Sequence, residues 1–169
     1  SVVRGPGPEM SNPELYVVLW GRQLNDPANT AGVGELLAGV KDMLRPEYVQ
    51  PLGQYDIRSA KIRGVHRRGD LPPRAVGTTN FAAISAIVYD VGFYDGAPIF
   101  WWAVGGHDPL YVVLTTNAEV DHAGWSGYHF VAFSLTHAVL PFPASLFAHD
   151  AIPWAFARIP DGALGMPTG

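Results

Sequence analysis

The sequence predicts an α/β fold, a single domain with a mixed central sheet, on three observations. Runs 15–20 and 110–116 are short, apolar and rich in β-branched residues, which is typical of strands buried on both faces. Amphipathic helical patterns alternate with such runs. A length of 169 residues, with 48% hydrophobic and 15% charged residues, suits one dense core. We therefore expect about five strands and about three packed helices, with an α+β arrangement as the alternative.

Proline and glycine mark the predicted limits of the domain. Residues 1–13 are rich in both and predict an extended N-terminal arm, because neither residue favours regular structure. Residues 14–158 are expected to form the globular domain. Residues 159–169 are expected to form a C-terminal tail of similar composition.

Three segments have helical signals. A stripe of apolar residues at helical spacing runs from an N-cap at Asn29 or Thr30 to Leu44 and stops before Pro46. A second helix is predicted from Thr79 or Asn80 to about residue 92. A third is predicted over residues 143–151, with Pro153 interrupting it.

The remaining strands are less regular. Residues 54–66 mix apolar and basic positions, which predicts an edge strand with a bulge near Gly64. Six of the eleven basic residues lie between Arg58 and Arg74. They are typical of an edge strand protected by charge, while an anion-binding or wall-polymer patch is the alternative. A further strand is predicted within residues 126–140.

Composition excludes several functional classes. A net charge of −4 argues against nucleic-acid binding, which needs a basic surface. The absence of cysteine excludes disulfides, a thiol nucleophile and thiolate-ligated metal. No apolar run is long enough to predict a membrane span. The scarcity of lysine beside abundant alanine, glycine, proline and arginine indicates a bacterial, high-GC origin.

Histidines and aromatic residues are the candidate functional side chains. Five of the six histidines lie between residues 107 and 149, near aspartates, and suit a site without thiolates for zinc or another divalent ion; they are His107, His122, His129, His137 and His149. Single histidines are also typical of hydrogen-bonded structural positions. The aromatic candidates for contact with a ligand or partner are Trp101, Trp102, Trp125 and Tyr128, and core packing is their alternative role.

Several segments in order resemble the exordium-like, phosphate-induced family in its secreted bacterial branch. The segments are Leu44-Arg-Pro-Glu-Tyr48, Leu52-Gly-Gln-Tyr-Asp-Ile57, Leu71-Pro-Pro73, Leu110-Tyr-Val-Val-Leu-Thr-Thr116 and Gly124-Trp-Ser-Gly-Tyr-His129. The resemblance covers about residues 14–162. It implies a zincin-like helix of the form His-Glu-x-x-Glu near the C-terminal end. Here His149 matches, Asp150 replaces the glutamate and Pro153 takes the second acidic position, so the resemblance implies a degenerate metal site.

The expected function is therefore a secreted pseudoenzyme that binds or self-assembles, without a cofactor. It is expected outside the cell or at the cell surface, as a homo-oligomer or cell-surface component. The alternative is a zinc-dependent hydrolase. In that case His129, His149 and Asp150 hold the metal, with His137 or His122 as a further ligand and Asp150 as the catalytic carboxylate.

Overall fold

The computed structural model of this chain describes residues 10–55, 57–72, 81–94, 108–120, 127–133, 151–160 and 162–163. These ranges contain five strands: β1 (Pro13–Trp20), β2 (Lys61–Arg68), β3 (Asp108–Thr116), β4 (Gly127–Phe133) and β5 (Ala151–Ile159). They also contain four helices, of which the first and third are single turns: α1 (Arg22–Asn25), α2 (Thr30–Met43), α3 (Pro46–Val49) and α4 (Phe81–Tyr94).

All five strands form one sheet in the order β2-β1-β3-β5-β4. β2, β1, β3 and β5 are parallel, and β4 pairs antiparallel with β5 at the edge. The predicted α/β fold with a mixed sheet is confirmed. β1 is buried along its whole length, because strands flank it on both sides and helices cover both faces of the sheet.

The two long helices lie on opposite faces of the sheet. On the α4 face, Ile84, Val88 and Val91 pack against alternate residues of the inner strands, such as Val18 and Val113. On the α2 face, the intervening residues Val17, Leu19 and Leu114 pack with Val33 of α2. The connection from β1 to β2 runs in one direction along the sheet, and the connection from β2 to β3 returns across β1. Both crossover connections are expected to be right-handed. Because the two connections run in opposite directions along the sheet, their helices lie on opposite faces, and the sheet is doubly wound.

The predicted edge strand with a bulge is confirmed in β2, although the strand begins only at Lys61. Residues Gln50–Tyr55 form a 3-10 helix instead. Leu15 pairs with Ile62 and Tyr16 with Gly64, which leaves Arg63 as the extra, bulged residue.

The predicted third helix, over residues 143–151, is wrong at its last residue, Ala151, which begins a strand. Residues 143–150 lie outside the described residues, but the chain is a strand from Ala151 onward, and β5 lies between β3 and β4. Pro153 is compatible with this position because it pairs only with Val131 of β4, and pairing with β3 begins one residue later, at Trp154. The strand continues to Ile159, one residue beyond the predicted domain limit.

At the amino end of the sheet, charged groups hold neighbouring strands together. Oδ2 of Asp108 accepts hydrogen bonds from the backbone N–H groups of Ser11 and Asn12, at 2.7 and 2.9 Å. The buried carboxylate of Glu14 forms ion pairs with Lys61 at 2.7 Å and Arg63 at 3.8 Å. These contacts tie the start of β1 to both of its neighbours.

Two stacked tyrosines follow on the α4 face. The rings of Tyr16 and Tyr111 lie 5.4 Å apart. Burial raises the pKa of the Tyr111 hydroxyl far above its ordinary value, and the nearby hydroxyl of Tyr16 raises it further. Burial and the charge of Glu14 also raise the pKa of Tyr16. Both hydroxyls are therefore neutral at physiological pH.

Candidate functional site

The sheet topology predicts a ligand site at the carboxyl ends of the parallel strands. In doubly wound sheets, ligands bind outside these ends, where connections leave two adjacent strands in opposite directions. Here that position lies between β1 and β3. Its walls include the segment after β1, which begins at Gly21, and the 3-10 turn Asn117–Glu119 after β3.

Four side chains form a row across the carboxyl end of the sheet on the α4 face, which we call the carboxyl row. Trp20 is the register partner of Arg68, and Thr115 is the partner of Arg158. Leu19 of β1 pairs with Leu114 of β3, and both side chains lie on the α2 face. The next residues, Trp20 and Thr115, are therefore neighbours on the α4 face. Since side chains of paired positions share a face, the four residues lie side by side.

The carboxyl row is polar but buried. Trp20 is 3% exposed, and its indole Nε1–H donates to Oδ2 of Asp70 at 3.1 Å. Arg68 forms an ion pair with Asp90 of α4 at 2.9 Å. At the other end of the row, Arg158 is only 8% exposed. Arginines are seldom buried to this degree without a defined role in structure or binding.

Thr115, in the middle of the carboxyl row, has an unusual environment. Its side chain is fully buried, yet its hydroxyl Oγ1 has no hydrogen-bond partner in the part of the chain that the structure describes. A buried hydroxyl without a partner costs about 1–3 kcal/mol. Such groups in native proteins often contact a bound water, ion or ligand.

On the α2 face of the sheet, the carboxylate of Glu119 occupies the carboxyl end between β1 and β3. Oε1 of Glu119 accepts hydrogen bonds from the backbone N–H groups of Arg22 and Gln23, at 2.7 and 3.1 Å. Its Oε2 accepts from the hydroxyl of Thr116 at 3.3 Å. Gly21 has a φ of 118°, which favours glycine, and a Cβ at this position would collide with Glu119 Oε2. The segments after β1 and β3 are therefore joined directly.

An asparagine fixes the β1 side of this edge. The side-chain amide of Asn25 donates to the carbonyl oxygens of Leu19, Gly21 and Arg68, at distances of 2.6–3.0 Å. The backbone N–H of Gly21 also donates to the carbonyl of Arg68 at 2.8 Å. These bonds join the ends of β1 and β2 next to the carboxyl row.

Most of the site residues predicted from sequence lie outside the part of the chain that the structure describes. Trp101, Trp102, Trp125, His149 and Asp150 lie outside the described residues, as do His107, His122 and His137. Tyr128 and His129 lie in β4, where their backbones pair with Phe156 and Ala155. The zincin-like helix suggested by the resemblance is wrong from Ala151 onward, because those residues form β5.

Sequence reasoning missed Thr115, Glu119 and Arg158. The available signal for Thr115 was its place at the end of a buried apolar strand, where a polar residue faces the binding edge of a parallel sheet. The same reasoning could not identify Arg158, because the strand that contains it, β5, was not predicted from the sequence. Arg68 was noted only within the basic segment, and the structure pairs it internally with Asp90.

The described residues contain no group of three or more histidines, aspartates or glutamates arranged to hold a metal ion. None of the helices in the described ranges is both long and apolar enough to cross a membrane. The fold and the carboxyl row define a doubly wound α/β protein with buried polar side chains at the carboxyl end of its sheet. Comparison with protein-family models, curated proteins and solved structures finds no match to this chain.

Proposed function

We propose that the protein binds a small anionic molecule, bearing a carboxylate or phosphate group, at the carboxyl row. The observation that carries this proposal is the buried hydroxyl of Thr115, which has no partner among the described residues and lies beside Arg158. A threonine hydroxyl donates one hydrogen bond, and a guanidinium donates several in a plane that matches a carboxylate or phosphate. Together they form a typical anion-binding pair.

The position of this pair also supports binding. It lies at the edge of the sheet where doubly wound proteins receive ligands. On the α2 face this edge is filled by Glu119, whose negative charge would repel an anion. On the α4 face Arg68 is paired with Asp90, and Arg158 beside Thr115 provides the positive charge that favours an anion.

A binding role agrees with the non-catalytic function expected from sequence. Secretion, membership of the exordium-like family and self-assembly stay predictions. The zinc hydrolase alternative depends on His129, His149 and Asp150, and the structure describes only the backbone of the first, so the geometry adds no support to it.

The proposal is tested by thermal unfolding of the purified protein in phosphate, succinate or chloride at equal ionic strength. Because a ligand that binds only the folded state raises Tm, we expect phosphate or succinate to raise it and chloride to have no such effect. The first two anions distinguish a phosphate ligand from a carboxylate ligand. Failure of both to raise Tm above the chloride value contradicts the proposal.

Two neighbouring threonines provide a matched pair of variants. Thr115→Val should abolish the response to anion and, without anion, raise the free energy of unfolding by about 1 kcal/mol, because it removes an unpartnered buried hydroxyl. Thr116→Val removes a hydroxyl bonded to Glu119 on the other face, so it should lower stability by about 1 kcal/mol and leave the anion response intact. Equal effects of the two variants would contradict the proposed site.

A further inference from the structure

A second feature lies far from the carboxyl row, on the α2 face near the start of β2. Here the last turns of α2 and the first residues of β2 enclose a groove of about 890 Å³, which we call the α2–β2 groove. Its walls are apolar at the base and charged at the rim. The apolar residues are Leu37, Ala38, Leu44, Ala60 and Ile62, and the charged ones are Lys41, Asp42, Arg45 and Lys61.

The base of the groove continues the core. Leu37 and Ile62 pack against the buried cluster on the α2 face of the sheet but stay partly exposed. The groove therefore presents an apolar surface on a rigid support of helix and strand. Covering that surface with an apolar ligand removes it from water, which favours binding.

The rim of the groove carries an excess of positive charge. Arg45 forms an ion pair with Asp42 at 2.9 Å, and Lys61 lines the groove but pairs its ammonium group at 2.7 Å with Glu14, which lies on the α4 face. Lys41 has no ion-pair partner within the described ranges. Since Lys41 lies in the last turns of α2 beside the apolar base, its ammonium group is placed to receive an anion.

The size of the groove favours a small molecule over a protein. The lining residues of α2, from Leu37 to Asp42, span about 8 Å at 1.5 Å per residue. The two lining residues of β2, Lys61 and Ile62, span about 7 Å. A stable protein interface covers about 800 Å² on each partner, several times this footprint, whereas small-molecule pockets measure about 300–1,000 Å³.

We propose that the α2–β2 groove binds a small amphiphilic anion, with its acidic group at Lys41 and its apolar chain along Leu37 and Ile62. The class includes medium-chain carboxylic acids. The groove lies on the opposite face of the sheet from the carboxyl row, so the two sites are independent. This inference does not depend on the proposed function.

The test uses isothermal titration calorimetry with decanoate below its micellar concentration. We expect saturable binding at one site. Decanol, which keeps the chain but lacks the charge, and decyltrimethylammonium, which reverses the charge, should each bind at least tenfold more weakly. Saturable binding of decanol as tight as that of decanoate, or no saturable binding of decanoate, overturns the proposal.

Variants locate the binding site. Lys41→Glu should weaken decanoate binding at least tenfold, and Ala38→Trp should do the same by filling the groove. Arg22→Glu makes the same charge change at an exposed residue of α1, at the carboxyl end, and should leave the affinity within twofold. Thr115→Val should also leave it unchanged. Equal losses in Lys41→Glu and Arg22→Glu would show a non-specific charge effect and overturn the assignment.

Discussion

At both ends of the β1–β3 pair a carboxylate joins the two strands, but the buried polar groups on the α4 face differ between the ends. At the amino end, Asp108 of β3 accepts hydrogen bonds from two successive backbone N–H groups just before β1, those of Ser11 and Asn12. At the carboxyl end, Glu119 follows β3 and accepts from two successive N–H groups just after β1, those of Arg22 and Gln23. In both places a carboxylate joins the flanks of neighbouring strands.

The difference lies on the α4 face. At the amino end, the buried carboxylate of Glu14 forms ion pairs with Lys61 and Arg63. At the carboxyl end, the buried hydroxyl of Thr115 has no hydrogen-bond partner among the described residues. The amino end uses its buried charged group in ion pairs, whereas at the carboxyl end the buried hydroxyl of Thr115 is the group to which we assign the proposed anion.

The largest effect is expected midway between the two ends. Val18→Asp should prevent folding, because it places an unpaired charge at a fully buried position of the central strand, at a cost of several kcal/mol. Val65→Asp is the matched control on the edge strand, where the side chain is 41% exposed. Circular dichroism during heating should show a cooperative transition only in the control. A cooperative transition in Val18→Asp near the parent Tm would contradict this prediction.

The second-largest loss of stability is expected from a substitution at the carboxyl end alone. Gly21→Ala should lower the free energy of unfolding by about 3 kcal/mol, because alanine is strained at a φ of 118° and its Cβ would collide with Glu119. Gly34→Ala, in an open position on α2, should instead raise it by about 0.5–1 kcal/mol. Urea unfolding of both variants measures the difference. If Gly21→Ala were neutral, the close contact with Glu119 would be disproved.

The two carboxylates can be compared directly. Glu119→Ala should cost about 2 kcal/mol, because three hydrogen bonds to the carboxylate are lost, whereas Asp108→Ala loses two and should cost about 1 kcal/mol. Both values follow from urea unfolding at pH 7. A larger loss at Asp108 would reverse the stated order and show that the amino end is the stronger junction.

The smallest effect concerns alkaline pH at the tyrosine stack. Because the pKa values of Tyr16 and Tyr111 are raised, the folded protein keeps these protons above pH 10 while the unfolded chain loses them. Their contribution to stability is full below pH 10 and falls as pH rises further, by at most about 1.4 kcal/mol per pH unit for each tyrosine. Tyr111→Phe should make this decline shallower in urea unfolding between pH 9 and 11. An identical slope in the variant would contradict the assignment.

The sequence predicted the architecture better than the site. The buried strands, the amphipathic α2 and the bulged edge strand have strong local patterns, and all appear in the structure. β5 was missed because Pro153 argues against a strand unless its pairing partners are known.

The candidate site depends on pairing between distant segments. Thr115 and Arg158 become neighbours only through the register of β3 with β5. Glu119 reaches Arg22 only because β1 and β3 are adjacent. Local sequence periodicity does not predict these contacts. The aromatic and histidine residues were chosen as candidates from residue type alone.

The position of β5 in the sheet has a consequence for synthesis on the ribosome. β5 is the last described strand in the chain, yet it lies between β3 and β4. Until it emerges, β3 exposes an open edge and β4 has no neighbour in the sheet, so the nascent chain holds unpaired β-strands for the time needed to make more than forty further residues after β3. Because an inner strand is added last, the nascent chain exposes aggregation-prone strand edges until β5 has been made.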